Sequence, residues 1–375
     1  MKEIALKLLL VFGLTALVLI CFDFAYRQTY NLDFKIPRNV VKNPPIDEKY
    51  RIVKLGNSHT QDGITFEKYK TKSLDLSGVA QRFETDLAVL RQHQNQIDEG
   101  AVVLINVSPI SFSHTNANTK KGFQAGYYGR VSPLYIPNLN WSDYIESEFL
   151  SFARSGHYWR QKYAKKVLDE KSAGDKSAFE RNAVKTEPTP APELPPVPLP
   201  AASANNTPPR DTTFDIDFIL ANLEKPTKIP GKFENSVNFM YTKWYQTDEF
   251  NPDYFAVNKK DLERLIAFCL KQNWKPVLIT IPISQELEDG LLDDYKQVYL
   301  YDVLSQTDTQ GVEYLDFSSD PQIKQNNLWF GNSDHLSKQG AAAFSYFLLQ
   351  DLIEKGYLPA EVNGYEYGAV DSGVK

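Results

Sequence analysis

The sequence predicts an α/β domain with a mostly parallel sheet behind an N-terminal transmembrane helix. Three observations predict it: an uncharged apolar run near the start, short apolar strands alternating with helix-period segments, and polar turns directly after two of those strands. The chain has 375 residues, 42% hydrophobic and 23% charged, enough to bury a core without disulfides or a structural metal. With 41 Lys+Arg against 47 Asp+Glu, the net charge of −6 argues against a nucleic-acid partner, which demands a basic face. Two cysteines, Cys21 and Cys269, cannot build a disulfide framework.

Leu8 to Phe22 reads LLLVFGLTALVLICF, preceded by Lys2 and Lys7. Extended to residues 4–26, it is long enough to cross a hydrocarbon core of about 30 Å at about 1.5 Å per residue. A cleaved signal peptide or a lipoprotein signal shares part of this pattern. The Phe22-Asp23-Phe24 exit lacks the small residues of a cleavage site, and Leu19-Ile20 precedes Cys21 where lipid attachment wants a small residue. An uncleaved anchor is the expectation, single-pass in the cytoplasmic membrane with the C-terminal body on the extracytoplasmic side. Cys21 is then a membrane residue.

Arg51 to Leu55 and Ser73 to Leu76 read as the first two strands. Gln81 to Asp98 reads as a helix with Phe83, Leu87, Leu90 and Ile97 near one face. Ala101 to Val107 is a continuous apolar run of the kind buried in parallel sheets. Leu262, Leu265, Ile266 and Cys269 mark a second helix, Pro276 to Ile281 a central strand and Val312 to Phe317 the last strand. Lys338 to Glu354 closes the pattern as a helix with Ala341, Phe344, Leu348 and Leu352 inward.

Between the halves, Pro188 to Pro209 holds nine of the chain's 22 prolines and reads as an extended spacer. The expected organisation is an anchor at 1–26, a linker at 27–49, a domain in two parts at 50–165 and 216–356, a Pro-rich insertion at 166–215 and a tail at 357–375.

Ligands of such sheets bind at the strands' carboxyl ends. The first strand ends in Gly56-Asn57-Ser58-His59, where glycine permits a tight turn that exposes a serine. A serine needs a base, and there are five histidines. His59 is read as packing in the turn or touching substrate, His93 as solvated, His114 as a loop residue and His157 as packed. His335, in Asn332-Ser333-Asp334-His335-Leu336-Ser337 after the last strand, returns to the same sheet edge and is the expected base. No His pair has zinc spacing and no Gly-rich phosphate loop exists, so neither metal nor cofactor is expected. Asp293-Asp294 reads as a helix-surface pair. Tyr127, Tyr128, Tyr135, Trp141, Trp244 and Tyr245 are candidates for stacking on sugars, or ordinary packing aromatics.

Gly56-Asn57-Ser58-His59 resembles the first block of the SGNH/GDSL hydrolase superfamily, and Asp334-His335-Leu336 with Gly340 resembles its last. Leu76-Ser77-Gly78 is similar to the second block, whose glycine N–H helps form the oxyanion hole. Asn106-Val107-Ser108-Pro109 stands where familiar members carry Gly-x-Asn-Asp, so Ser108 or Asn106 would supply the third donor. Asn332 stands where the superfamily places its catalytic Asp, three residues before the His. The options are an Asn332-supported triad, a Ser58–His335 dyad, a triad shifted to Asp334, or a weakened enzyme. With its anchor and Ser-Pro ending, the chain resembles membrane-anchored members of the D-alanyl transfer and polysaccharide O-acetylation type. The resemblance implies a flavodoxin-like three-layer domain and a serine esterase or O-acyltransferase without cofactors. It implies an acylated glycan or cell-envelope polymer as substrate, with a membrane-bound acyltransferase as a possible partner. The competing expectation is an inactive SGNH-like protein that binds a glycan or such an acyltransferase.

Overall fold

The protein is described from a computed structural model covering residues 2–30, 49–66, 69, 71–78, 81–113, 131–136, 139–142, 144–145, 252–291, 295–324 and 329–363. His114, His157, Asp293-Asp294, the Pro-rich insertion and the aromatics at 127, 128, 244 and 245 lie outside them. The chain divides into two compact units, one taking residues 1–36, 118–133 and 138–198, the other the remainder.

The first unit contains α1 (Lys2–Tyr30). Its segment Glu3–Ala25 has 23 residues at a mean hydropathy of 2.7, long and apolar enough to cross a membrane. Large side chains such as Leu9 and Phe12 are exposed all round it. Cys21 is exposed on it.

The second unit contains every strand among the described residues. β1 (Tyr50–Leu55) is followed by α2 (Ser58–Gly63), β2 (Ser73–Asp75), α3 (Phe83–His93), β3 (Ile97–Asn106) and α4 (Pro109–Ser113). Then come α5 (Pro252–Lys271), β4 (Lys275–Thr280), β5 (Tyr314–Asp316) and α6 (Lys338–Glu354), with short helical turns between β4 and α6. The strands form one parallel sheet in the order β2-β1-β3-β4-β5. β1 and β3 are therefore neighbours, and their ends, Leu55 and Asn106, bring the Gly56 turn beside Asn106. Val102, Val103, Leu104 and Ile105 are fully buried, which explains why β3 reads as a continuous apolar run.

Two sequence expectations need correction. The helix predicted to Asp98 ends at His93, and Ile97 opens β3 by pairing with Tyr50. His93 is buried rather than solvated, because a 3-10 turn (Gln94–Gln96) folds Gln96 Oε1 to 2.7 Å from its Nδ1. β3 begins well before the expected Ala101, and the helix around Leu262 to Cys269 starts at Pro252; the remaining elements agree to within about two residues where predicted. Cys269 is a core residue, its thiol pKa driven up by burial. α6 buries Phe344, Leu348 and Leu352 fully, each contributing about 1.5–3 kcal/mol.

Candidate active site

Gly56 makes the turn after β1 with φ of +127°, a conformation that side chains oppose. A Cβ there would also come within 2.6 Å of Thr60 Oγ1 and 2.7 Å of Asn106 Cβ. Its N–H donates to Asp86 Oδ1 at 2.9 Å, and Gln81 Nε2 donates to the same oxygen at 2.6 Å. Asp86 is buried on α3 and its pKa is raised to about 7 by that burial, against the two hydrogen bonds. Asp86 thus pins the turn from below. The sequence reading missed it, although a carboxylate between Phe83 and Leu87 on an apolar helix face was the available signal.

Asn57 caps α2, its Oδ1 accepting from His59 N at 3.0 Å and from Asn106 Nδ2 at 3.1 Å. Ser58 opens the helix. Its amide, one of the donors a helix start leaves without an intrahelical partner, is engaged by no hydrogen bond among the described residues. One turn of helix is short, so what it offers an oxyanion is this amide rather than a large dipole.

The second half of the site is a loop closed by the Phe330–Leu336 antiparallel bridge. Ser337 N donates to Trp329 O at 2.7 Å, and the Ser337 hydroxyl caps α6 by accepting from Gly340 N at 3.2 Å. Gly340 packs against backbone: a Cβ there would lie 1.9 Å from Trp329 O. Ser333 O accepts from Ser284 N at 3.0 Å, tying the loop to the segment after β4. Inside the loop, Asn332 Oδ1 accepts from Asp334 N at 2.9 Å and His335 N at 2.8 Å.

These two turns bring Ser58 and His335 together, with Oγ 2.8 Å from Nε2. Asn332 Oδ1 also lies 3.3 Å from His335 Nδ1. Because that oxygen already accepts two backbone N–H groups, it is an acceptor, and Nδ1 must carry the proton. Nε2 then presents its lone pair to the serine. Burial first, and the neighbouring His59 charge second, lower the His335 pKa below the ordinary value, keeping the ring neutral and ready to accept a proton.

Asp334 is also in reach. Its Oδ2 lies 3.6 Å from His335 Nδ1 and its Oδ1 3.0 Å from His59 Nε2. The rings of His59 and His335 are 4.7 Å apart, so two histidines distant in the chain meet at this site. Donor atoms of His59, Asp334 and His335 lie within 4.8 Å of one another, a set whose chemical types could hold a cation. Within that set, His335 Nε2 faces Ser58 Oγ and its Nδ1 faces Asn332 Oδ1.

The expected oxyanion donors fare differently. Gly78 N donates to Gly56 O at 2.9 Å, so this amide is occupied by backbone and its assignment as a donor is corrected. Ser108 is turned into a local motif, its N–H and Oγ both paired with Ser111 Oγ, at 3.1 and 3.0 Å. Asn106 remains: Nδ2 contacts Asn57 with one of its two hydrogens, and Oδ1 is buried with no hydrogen-bond partner among the described residues. Together the site can move a proton from a hydroxyl to an imidazole and offer amide N–H groups to a developing negative charge. Compared with known protein families and with curated proteins, the chain matches none.

Proposed function

We propose that this protein is a membrane-anchored serine esterase or O-acyltransferase of SGNH type, acting on acyl esters of exported or cell-envelope glycans. The observation that carries the reading is the 2.8 Å contact between Ser58 Oγ and His335 Nε2, made by turns that follow different strands of one sheet. The strand order 2-1-3-4-5 is that of flavodoxin-like folds and supports the family reading. The apolar span at Glu3–Ala25 supports an anchor; that the body lies outside the cytoplasm is part of the proposal.

In this reading the Ser58 hydroxyl proton passes to His335 Nε2 as Oγ attacks an ester carbonyl carbon. The tetrahedral oxyanion is held by the Ser58 N–H and the Asn106 amide. The intermediate collapses, the leaving alcohol takes the proton back from His335, and the acyl group stays on Ser58. Water then completes hydrolysis, or a glycan hydroxyl completes transfer, each activated by the same imidazole.

Two observations favour a second reading, an inactive SGNH-like protein that binds an acylated glycan or a membrane-bound acyltransferase. The Gly78 amide is held by Gly56 O, and Asn332 carries no negative charge. Fluorophosphonate labelling of the full-length chain, compared with Ser58→Ala, separates the two. A Ser58-dependent adduct, with acyl release from p-nitrophenyl acetate, is the expected result. Absence of both favours the binding protein.

A further inference from the structure

The residue after the nucleophile has no part in the mechanism above, yet it is among the most enclosed polar groups of the site. His59 is 7% exposed and Asp334 3%. Their contact, His59 Nε2 to Asp334 Oδ1 at 3.0 Å, is an ion-pair approach without hydrogen-bond geometry at Nε2, and it joins the first turn of α2 to the loop before α6. The other carboxylate oxygen faces His335 Nδ1 at 3.6 Å. Asp334 thus lies between two imidazoles, one beside the nucleophile in sequence and one serving it as base.

We propose that His59 is a positioning residue that clamps the Asp334 carboxylate against His335, so that the negative charge supporting the imidazolium comes from Asp334 while Asn332 only fixes the tautomer. This deepens the serine-enzyme reading above and rests on it. The reasoning is geometric. An aspartate adjacent in sequence to its histidine points away from that ring unless something holds it. A partner on another element does so here, with an ion pair across the site. A buried carboxylate is costly without compensation, and the paired imidazole provides it.

The charges around the pair give the clamp a measurable consequence. Burial alone would depress the His59 pKa, but the Asp334 carboxylate, and Asp62 on α2 more weakly, raise it above the ordinary histidine value. Asp334 and Asp62 also face His335, and Tyr295, whose own pKa is raised mainly by burial, feels the Asp334 charge from the segment after β4. A protonated His59 opposes protonation of His335 at a ring separation of 4.7 Å. The two rings therefore titrate as a coupled pair, His335 at the lower pH.

The test uses the full-length chain in detergent, with the rate of Ser58-dependent fluorophosphonate labelling and of p-nitrophenyl acetate turnover followed against pH. His59→Gln keeps a polar side chain of similar reach beside Asp334 but removes the charge. His59→Ala removes both. The expected results are a loss of roughly 100-fold in kcat for the alanine variant and partial rescue, to within about 10-fold of wild type, by glutamine. In the glutamine variant the acid limb of the rate moves to higher pH, because a positive neighbour of His335 has gone. Asp334→Asn alone and combined with His59→Gln should cost nearly the same, since both act through one carboxylate. Circular dichroism and melting of each variant identify any that fail to fold, and the glutamine variant carries the test if alanine does. Equal rates and an unmoved acid limb in a folded His59→Gln chain, with Ser58 still labelled in wild type, overturn the clamp alone. No Ser58-dependent labelling in wild type overturns the serine-enzyme reading and the clamp with it.

Discussion

Ser58 Oγ and His335 Nε2 stand 2.8 Å apart although 277 positions separate them in the chain. Neither turn is long enough to find the other by chance. β1 and the segment after β4 hold them at one edge of the sheet, and each is braced from behind, by Asp86 under Gly56 and by Gly340 under Trp329.

If this contact is a nucleophile–base pair, removing either member should cost about the same. Ser58→Ala and His335→Ala are each expected to lower p-nitrophenyl acetate turnover by roughly 10³-fold or more, and the double variant should fall little further, because residues that act as a unit are not additive. Losses that simply multiply would mean that the two side chains act independently.

Restoring a carboxylate three residues before the histidine is the most direct test of Asn332. Its Oδ1 already accepts from the Asp334 and His335 backbone and lies 3.3 Å from Nδ1, so aspartate can occupy the same geometry. A negative charge there stabilises the imidazolium. Asn332→Asp should raise kcat at least about 10-fold and move the acid limb of the rate to higher pH. An unchanged limb would show that position 332 does not feel the base.

Much of this arrangement was readable from local pattern. Helix 338–354 matches its predicted ends because Ser337 supplies a cap and the inward residues keep a helical period. β1, β3 and β4 were marked by apolar runs that the sheet buries on both faces. What local pattern misses is partner choice. Ile97 continues the apolar face of α3 yet joins β3, because Tyr50 pairs with it. His59 follows Ser58 directly, and only the rotation of about 100° per residue in α2 separates their directions. Its partner Asp334 is set by how α2 meets the loop before α6. Gly78 has the expected residue type, but its amide is claimed by a carbonyl that the sheet order brings alongside.

Gly340 offers a check on the loop itself. A methyl group at 340 would sit 1.9 Å from Trp329 O, a backbone atom that cannot step aside without moving Phe330 and the bridge to Leu336. Gly340→Ala is expected to destabilise the fold by about 3 kcal/mol or more and to displace His335. Thermal unfolding would show the loss as a lower melting temperature, and a wild-type melting temperature would mean that Trp329 and α6 are not in this contact.

Asp86 ties stability to pH in a direction opposite to that of most carboxylates. Its pKa is raised from 3.8 to about 7 because burial penalises its charge, the bonds from Gln81 and Gly56 offsetting only part. Between those values the folded chain binds more protons than the unfolded one, so this group's contribution to stability falls as pH rises from about 4 through about 7. The full swing is on the order of 4 kcal/mol. Asp86→Asn removes the titration and keeps an oxygen for Gly56 N and Gln81 Nε2. Its new NH₂ takes the place of Oδ2, a buried atom with no hydrogen-bond partner among the described residues, which costs about 1–3 kcal/mol. Above pH 7 the variant should therefore be more stable than wild type by about 1–3 kcal/mol, and near pH 4 less stable. Melting temperatures of both full-length chains from pH 4.5 to 8 should cross within that window. Parallel curves would show that Asp86 is ionised in the folded protein and that its carboxylate is better solvated than its position under the Gly56 turn implies.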